Sequence, residues 1–184
     1  MPVPPMPLDT VSGIAIVPVT VEHATMLAAL VRADRDHLHA YLPMVATLAS
    51  VEAASAHLVR AVARAAEGEI FEWHLFMGGS LCGAVRLKDI DHAGRKASIG
   101  YFVGSAFAGQ GIATSAVRSV LAFCFGTLAL NRIELRCATT NAPSARVAER
   151  LGFTREGRLR QDECLHGEFV DQFVFGLLRA EFER

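Results

Sequence analysis

A chain of 184 residues, 52% hydrophobic, with 18 Lys+Arg against 19 Asp+Glu, has the size and make-up of one globular domain. A formal net charge of −1 with this apolar content excludes a disordered polymer. It also lacks the basic excess with which a dedicated nucleic-acid binder meets phosphates. The proline-rich start, residues 1–9, has no basic region leading into an apolar stretch, so it does not read as a signal peptide. No apolar run approaches the ~20 residues of a membrane span. The expectation is a cytoplasmic protein with no membrane partner and no direct nucleic-acid partner. It divides into a flexible N-terminal segment over 1–12 and a single domain over 13–184.

A short apolar run at 14–19 reads as the first strand. Thr20 can N-cap a following helix striped by Leu27, Leu30 and Val31. A second helical segment, near 34–42, stops before Pro43, which cannot continue a helix. Ser50 caps a third helix that carries Leu58, Val59 and Val62 and ends at Gly68. Three β-prone runs follow at 70–77, 81–90 and 96–103. Gly78-Gly79 closes the first pair as a tight hairpin, and the short turns imply an antiparallel meander. After a glycine-rich passage, Ala113, Val117, Val120, Leu121 and Cys124 fall on one helical face. A strand at 132–138 precedes a helix that begins around Pro143 and ends at Gly152. Two last strands, 153–165 and 169–178, meet at His166-Gly167. The order describes an α/β chain with one mixed sheet and helices on its faces.

Cys82, Cys124, Cys137 and Cys164 form no CxxC pair, and three of them sit in apolar runs as small buried hydrophobes. Of the seven histidines, His37, His39 and His92 lie in polar segments and read as exposed. No histidine pair has metal-ligand spacing with a third ligand, so no metal is expected. Phe71 and Trp73 read as core.

Between a strand and a helix lies Gly109-Gln110-Gly111-Ile112-Ala113-Thr114. Small residues there allow a ligand to approach the backbone. The first N–H groups of a helix lack partners, and its dipole favours an anion. A tight connection and a pyrophosphate cradle both fit this window alone. A dinucleotide fingerprint would want Gly or Ala at Thr114 within a parallel βαβ unit, and a Walker loop would want Gly-Lys-Ser/Thr. Both fit poorly.

Three stretches carry a family resemblance. KASIGYFVGSAFAGQGIATSA, residues 96–116, resembles the acetyl-coenzyme A signature of the GNAT acetyltransferases. Asn141-Ala-Pro-Ser144, followed by Val147-Ala-Glu-Arg-Leu-Gly-Phe153 and Glu156-Gly157, is similar to the second half of that signature. Leu38-His-Ala-Tyr-Leu-Pro43, which contains Tyr41, and Leu159 to Asp171 resemble the Trp-Leu-Pro segment and C-terminal hairpin of the Rim-type branch. That branch acetylates the N-termini of ribosomal proteins. The resemblance implies the GNAT acyl-coenzyme A N-acyltransferase fold. Its seven-stranded, mostly antiparallel sheet is splayed between the fourth and fifth strands, with acetyl-coenzyme A in the splay. Backbone near Phe102 and Val103 would pair with the pantetheine arm, and the amides from Gly109 to Thr114 would take the pyrophosphate. One departure is Ala108, where the family often has glutamine or arginine.

The chemistry of acetyl transfer needs a neutral amine, a stabilised oxyanion and a protonated leaving thiol. A free α-amine, with pKa about 7.7–8.0, needs only a mild base. Ser144 is a helix-start residue that suits capping, and the resemblance implies the acid beside the sulfur. Asn141 is a turn residue, and its family counterpart contacts the pantetheine arm. Glu163 is a strand carboxylate that matches the base of the serine-acetylating branch. A second family base position is Ser98 here, which cannot take a proton at neutral pH. His74 is either an ordinary strand histidine or part of the acceptor pocket with Tyr41. The expected activity is acetyl-coenzyme A dependent N-acetyl transfer to a protein N-terminus. A small amine as acceptor, or an acyl-coenzyme A sensor without turnover, stands beside it. A homodimer is implied by the resemblance alone.

Overall fold

The computed structural model describes residues 7, 8 and 13–182. Most of the segment expected to be flexible, 1–12, lies outside the described residues. Leu8, inside them, donates its N–H to the Ile16 carbonyl at 2.9 Å.

Seven strands form one sheet: β1 (Ile14–Pro18), β2 (Phe71–Met77), β3 (Ser80–Asp91), β4 (Lys96–Val103), β5 (Arg132–Ala138), β6 (Thr154–Leu165) and β7 (Glu168–Leu178). Their order is β1-β2-β3-β4-β5-β7-β6. Only β4 and β5 run parallel; the other neighbours are antiparallel. The mixed seven-stranded sheet expected from the sequence is therefore present. Its helices are α1 (Ala24–Ala33), α2 (Arg35–Tyr41), α3 (Pro43–Ala46), α4 (Val51–Ala66), α5 (Ile112–Phe125), α6 (Ala142–Arg150) and α7 (Arg179–Phe182). Among the described residues, no helix is long and apolar enough to cross a membrane.

Two local expectations need correction. The helix expected directly after Thr20 is preceded by a 3-10 turn, Val21–His23. Pro43 ends one helix as expected but also begins α3, occupying a first-turn position where a missing N–H costs nothing.

Alternating side chains send β2 into two separate cores. Phe71, Trp73 and Leu75, all fully buried, face α5, and Trp73 meets Phe123 edge-on with ring centroids 5.5 Å apart. Phe76 turns to the other face, where α1 and α4 contribute Leu27, Val31 and Leu58. Burying each such aliphatic side chain contributes about 1.5–3 kcal/mol, so both faces of the sheet are closed by helices. Cys82, Cys124 and Cys137 are buried and free, while Cys164 is exposed.

On that second face β2 also buries Glu72 and His74. His57 Nε2 lies 3.0 Å from Glu72 Oε1, and Arg86 Nε lies 3.6 Å from Oε2. Burial raises the Glu72 carboxyl, but the His57 hydrogen bond and the nearby positive charges outweigh it and hold the group below its ordinary value.

Candidate active site

The site arises from an interruption in the sheet. β4 and β5 pair only over Lys96–Ser98 with Arg132–Glu134. From Ile99 to Val103, β4 keeps β3 on one side and has no sheet partner on the other among the described residues. The gap opens into a cleft of about 850 Å3. Its walls are β4, β5, the start of α5, the start of α6, α2 and the β6–β7 hairpin.

At one wall the chain enters α5 through Gly109 and Gly111, whose φ values are +76° and +77°. Glycine adopts this left-handed backbone without the strain a side chain would bring. A Cβ on either residue would meet nothing within 4 Å, so the space above this turn is open. Gly111 caps α5 with no side-chain hydrogen bond, and the helix ladder begins with Ser115 N–H to the Gly111 carbonyl at 2.9 Å. The preceding amides at the helix start have no intrahelical partner. Gly109, Gly111, Ile112, Ala113 and Thr114 line it. Gln110 does not; its amide reaches back to the Ala106 carbonyl at 3.4 Å. Ala113, expected on the buried face of α5, lies half-buried at this rim, because the helix turns its first residues towards the gap rather than the core.

Opposite stands α6. Asn141 is its N-cap: Oδ1 accepts the Ser144 N–H at 3.2 Å. The capping role weighed for Ser144 thus belongs to Asn141, and the Ser144 hydroxyl is free for another partner. That partner is Tyr101 on β4, whose Oη donates to Ser144 Oγ at 3.1 Å across the gap. Arg146 and Arg150, one helical turn apart, also line the cleft. Neither has an ion pair among the described residues.

The far end is closed by the β6–β7 hairpin and α2. β6 bulges between Leu159 and Glu163, with Gln161 at φ +53° and its N–H held by Asp171 Oδ1 at 2.8 Å. After the bulge, Asp162 and Glu163 both line the cleft. Gln172 Nε2 donates to Glu163 Oε2 at 2.5 Å, and Arg136 reaches Asp162 at 3.1 Å. Tyr41 on α2 donates to the Thr140 carbonyl at 3.1 Å, and His39 meets His166 in a tilted ring contact with centroids 4.2 Å apart. These two contacts lay α2 across the mouth of the gap.

A family model described as an acetyltransferase (GNAT) domain matches residues 14–154. The chain belongs to the GNAT acetyltransferase family. YdaF of Bacillus subtilis (strain 168), whose name assigns it provisionally as a ribosomal N-acetyltransferase, is 39% identical over 109 residues, 59% of this chain and 60% of its own length. The ribosomal-protein-serine acetyltransferase of Escherichia coli (strain K12) is 31% identical over 97 residues, 53% of this chain and 54% of its own. This chain therefore spans between half and two thirds of the length of these relatives. Among solved structures, Mycobacterium smegmatis RimJ in complex with CoA-disulfide superposes with a TM-score of 0.89 at 28% identity, covering 97% of this chain and 88% of that one.

Within this GNAT chain, Phe102, Val103, Gly109, Gly111, Ile112, Ala113, Thr114, Asn141, Ser144, Glu163 and Tyr41 share the one cleft. His74, expected at the acceptor pocket, does not reach it. β2 is two strands removed from the gap, and its His74 ring is fully buried against His23, with Nδ1 to Nδ1 at 3.0 Å. Tyr101, Gln172, Arg146 and Arg150 escaped the sequence. The last two carry a legible signal, an i, i+4 pair of arginines in a helix begun by Pro143. Tyr101 and Gln172 depend on strand register, which the sequence does not display. The cleft suits coenzyme A on its own terms: a glycine turn with open space above it, unpartnered helix-start amides, two cations and a bare strand edge.

Proposed function

We propose that this chain transfers acetyl from acetyl-coenzyme A to an amine, and that the amine is the N-terminal α-amine of a protein. The supporting observation is that Ser144 and Glu163, from elements far apart in sequence, line the same cleft as the Gly109–Thr114 turn. The names of YdaF and of the E. coli relative favour a ribosomal-protein acceptor.

Coenzyme A, when bound, supplies the acetyl group as an activated thioester. The amides from Gly111 to Thr114, with Arg146 and Arg150, hold its phosphates. The bare edge of β4 at Phe102 and Val103 offers backbone partners to its amide-bearing arm. Asn141 holds the first turn of α6 in place and so sets where Ser144 stands. Glu163 takes a proton from the incoming amine, and Ser144 gives its hydroxyl proton to the departing sulfur. One proton enters the site and one leaves it per turnover, so solvent exchange restores both residues. A positioned acid or base of this kind contributes about 10²–10⁴-fold.

The experiment is release of free thiol from acetyl-coenzyme A with peptides beginning in Ser or Ala. Turnover that disappears when the peptide N-terminus is blocked supports the α-amine. Turnover on small amines alone reassigns the acceptor to a metabolite. No turnover across a broad panel of peptides and amines, with coenzyme A still bound, leaves a sensor and sinks catalysis.

A further inference from the structure

The Ser144 hydroxyl has a defined environment. It carries one donor and two acceptor lone pairs. Tyr101 Oη–H fills one lone pair at 3.1 Å, and the residue's backbone N–H is already committed to Asn141 Oδ1. Cys137, a buried free thiol, lines the same cleft. Tyr101 sits on β4 beyond the last β4–β5 pair, while Ser144 sits on α6, so this bond spans the gap where the sheet parts.

We infer that Tyr101 is a positioning residue for the transfer, fixing the direction in which Ser144 presents its own proton. This rests on the acetyl-transfer role proposed above. A serine hydroxyl without such a partner rotates among three staggered wells. With Tyr101 donating to it, the hydroxyl cannot point its hydrogen back at β4, and the proton is turned towards the cleft and the sulfur. Burial pushes the Tyr101 phenol up to about 12, which keeps it protonated and a donor over the working range. Tyr101 thus enters the transfer as a protonated donor aimed at Ser144 Oγ. The proton that reaches sulfur is the one on Ser144.

The test is Tyr101→Phe, which keeps the ring and removes only the hydroxyl. The expected result is a fall in kcat of about tenfold, the scale of one net hydrogen bond, with KM for acetyl-coenzyme A unchanged. Ser144→Ala loses more, and adding Tyr101→Phe to it produces no further loss, because the phenol then has nothing to aim. Thermal melting of all three variants reports their folding. An unchanged kcat in Tyr101→Phe overturns the inference while leaving acetyl transfer intact. Independent, multiplying losses in the double variant overturn it too, since they give the phenol a role apart from Ser144. No turnover by the unmodified protein on any acceptor removes the acetyl-transfer role itself, and this inference with it.

Discussion

Gln172 Nε2 stands 2.5 Å from Glu163 Oε2, so an amide on β7 holds one oxygen of a cleft carboxylate on β6. In the proposed mechanism the other oxygen takes the proton of the incoming amine. Glu163→Gln is expected to lower kcat by about 10²–10⁴-fold with coenzyme A binding retained. Gln172→Leu keeps the carboxylate but frees it to rotate, and a loss of about tenfold follows from one missing hydrogen bond. Steady-state thiol release checks both. A Glu163→Gln variant as fast as the unmodified protein removes Glu163 as the base.

Gly111 caps α5 at φ +77° with nothing to clash with an added methyl, so Gly111→Ala tests backbone conformation alone. Holding alanine in the left-handed region costs about 1–2 kcal/mol. Relaxing that strain turns the α5 amides away from the cleft. Calorimetric titration should then find coenzyme A bound about tenfold more weakly, with the fold kept. Unaltered affinity would show that the amides do not hold the phosphates.

His74 predicts an acid sensitivity. Thr20 N–H approaches His23 Nδ1 at 3.4 Å, which makes that nitrogen an acceptor, so His74 Nδ1–H is the donor in the 3.0 Å contact between the rings. His74 Nε2 is then bare, buried and without a partner among the described residues. Burial lowers the His74 pKa to about 4, and Glu72 beside it only partly offsets this. An unfolded histidine binds its proton near pH 6.5. Above that pH neither state is protonated and stability is at its full value. Between about 6.5 and 4 the unfolded chain takes up a proton that the folded chain refuses, so stability falls as pH falls, by on the order of 3 kcal/mol. His23, also lowered by burial, acts in the same direction. Denaturant melts at pH 7.5, 6 and 5 measure the slope. His74→Phe should flatten it, and equal slopes in both proteins would count against this origin.

Gly176 lies near the C-terminal end of β7, opposite Glu134 on β5 and Thr154 on β6. Across its bare face Arg132 reaches Glu156 with two hydrogen bonds, 2.6 and 2.5 Å, and Glu134 with a third at 3.3 Å. A Cβ at Gly176 would collide with the Glu156 carboxylate and stand 2.5 Å from Arg132 Nη1. Both atoms are the far ends of flexible, part-exposed side chains, so Gly176→Ala is expected to displace the Arg132–Glu156 pair and destabilise by no more than about 1 kcal/mol. Arg132→Met should remove much of that penalty by clearing the space. Thermal melts of the single and double variants decide it; additive losses would mean the collision is not with Arg132.

What the sequence made legible follows from how local each signal is. The Gly78-Gly79 hairpin, the α5 stripe from Val117 to Cys124 and the α6 start at Pro143 are each written within a dozen residues, and all three are present. The glycine turn and the Asn141 to Ser144 segment were also visible because they are contiguous. Tyr101–Ser144 and Gln172–Glu163 were not, since each joins residues on elements whose approach is set by tertiary packing. The bulge at Gln161 matters most here: it changes which β6 side chains face the gap, and no turn residue announces it. His74 went astray for the opposite reason. Its strand neighbours suggested a pocket, but β2 is covered on both faces, so an inward histidine there meets a helix layer and not a cleft.

The short seam between β4 and β5 has a thermodynamic consequence. Among the described residues, Lys96–Ser98 against Arg132–Glu134 is all the ladder that joins β1–β4 to β5–β7. A molecule lying along the gap touches both half-sheets, and only the folded arrangement offers it that pair of surfaces. Its binding free energy is therefore added to the cohesion of the sheet, by about 2.7 kcal/mol at a hundred times its Kd. Heat resistance in this protein would then report how full the gap is, because a bound acyl donor would bridge the two half-sheets.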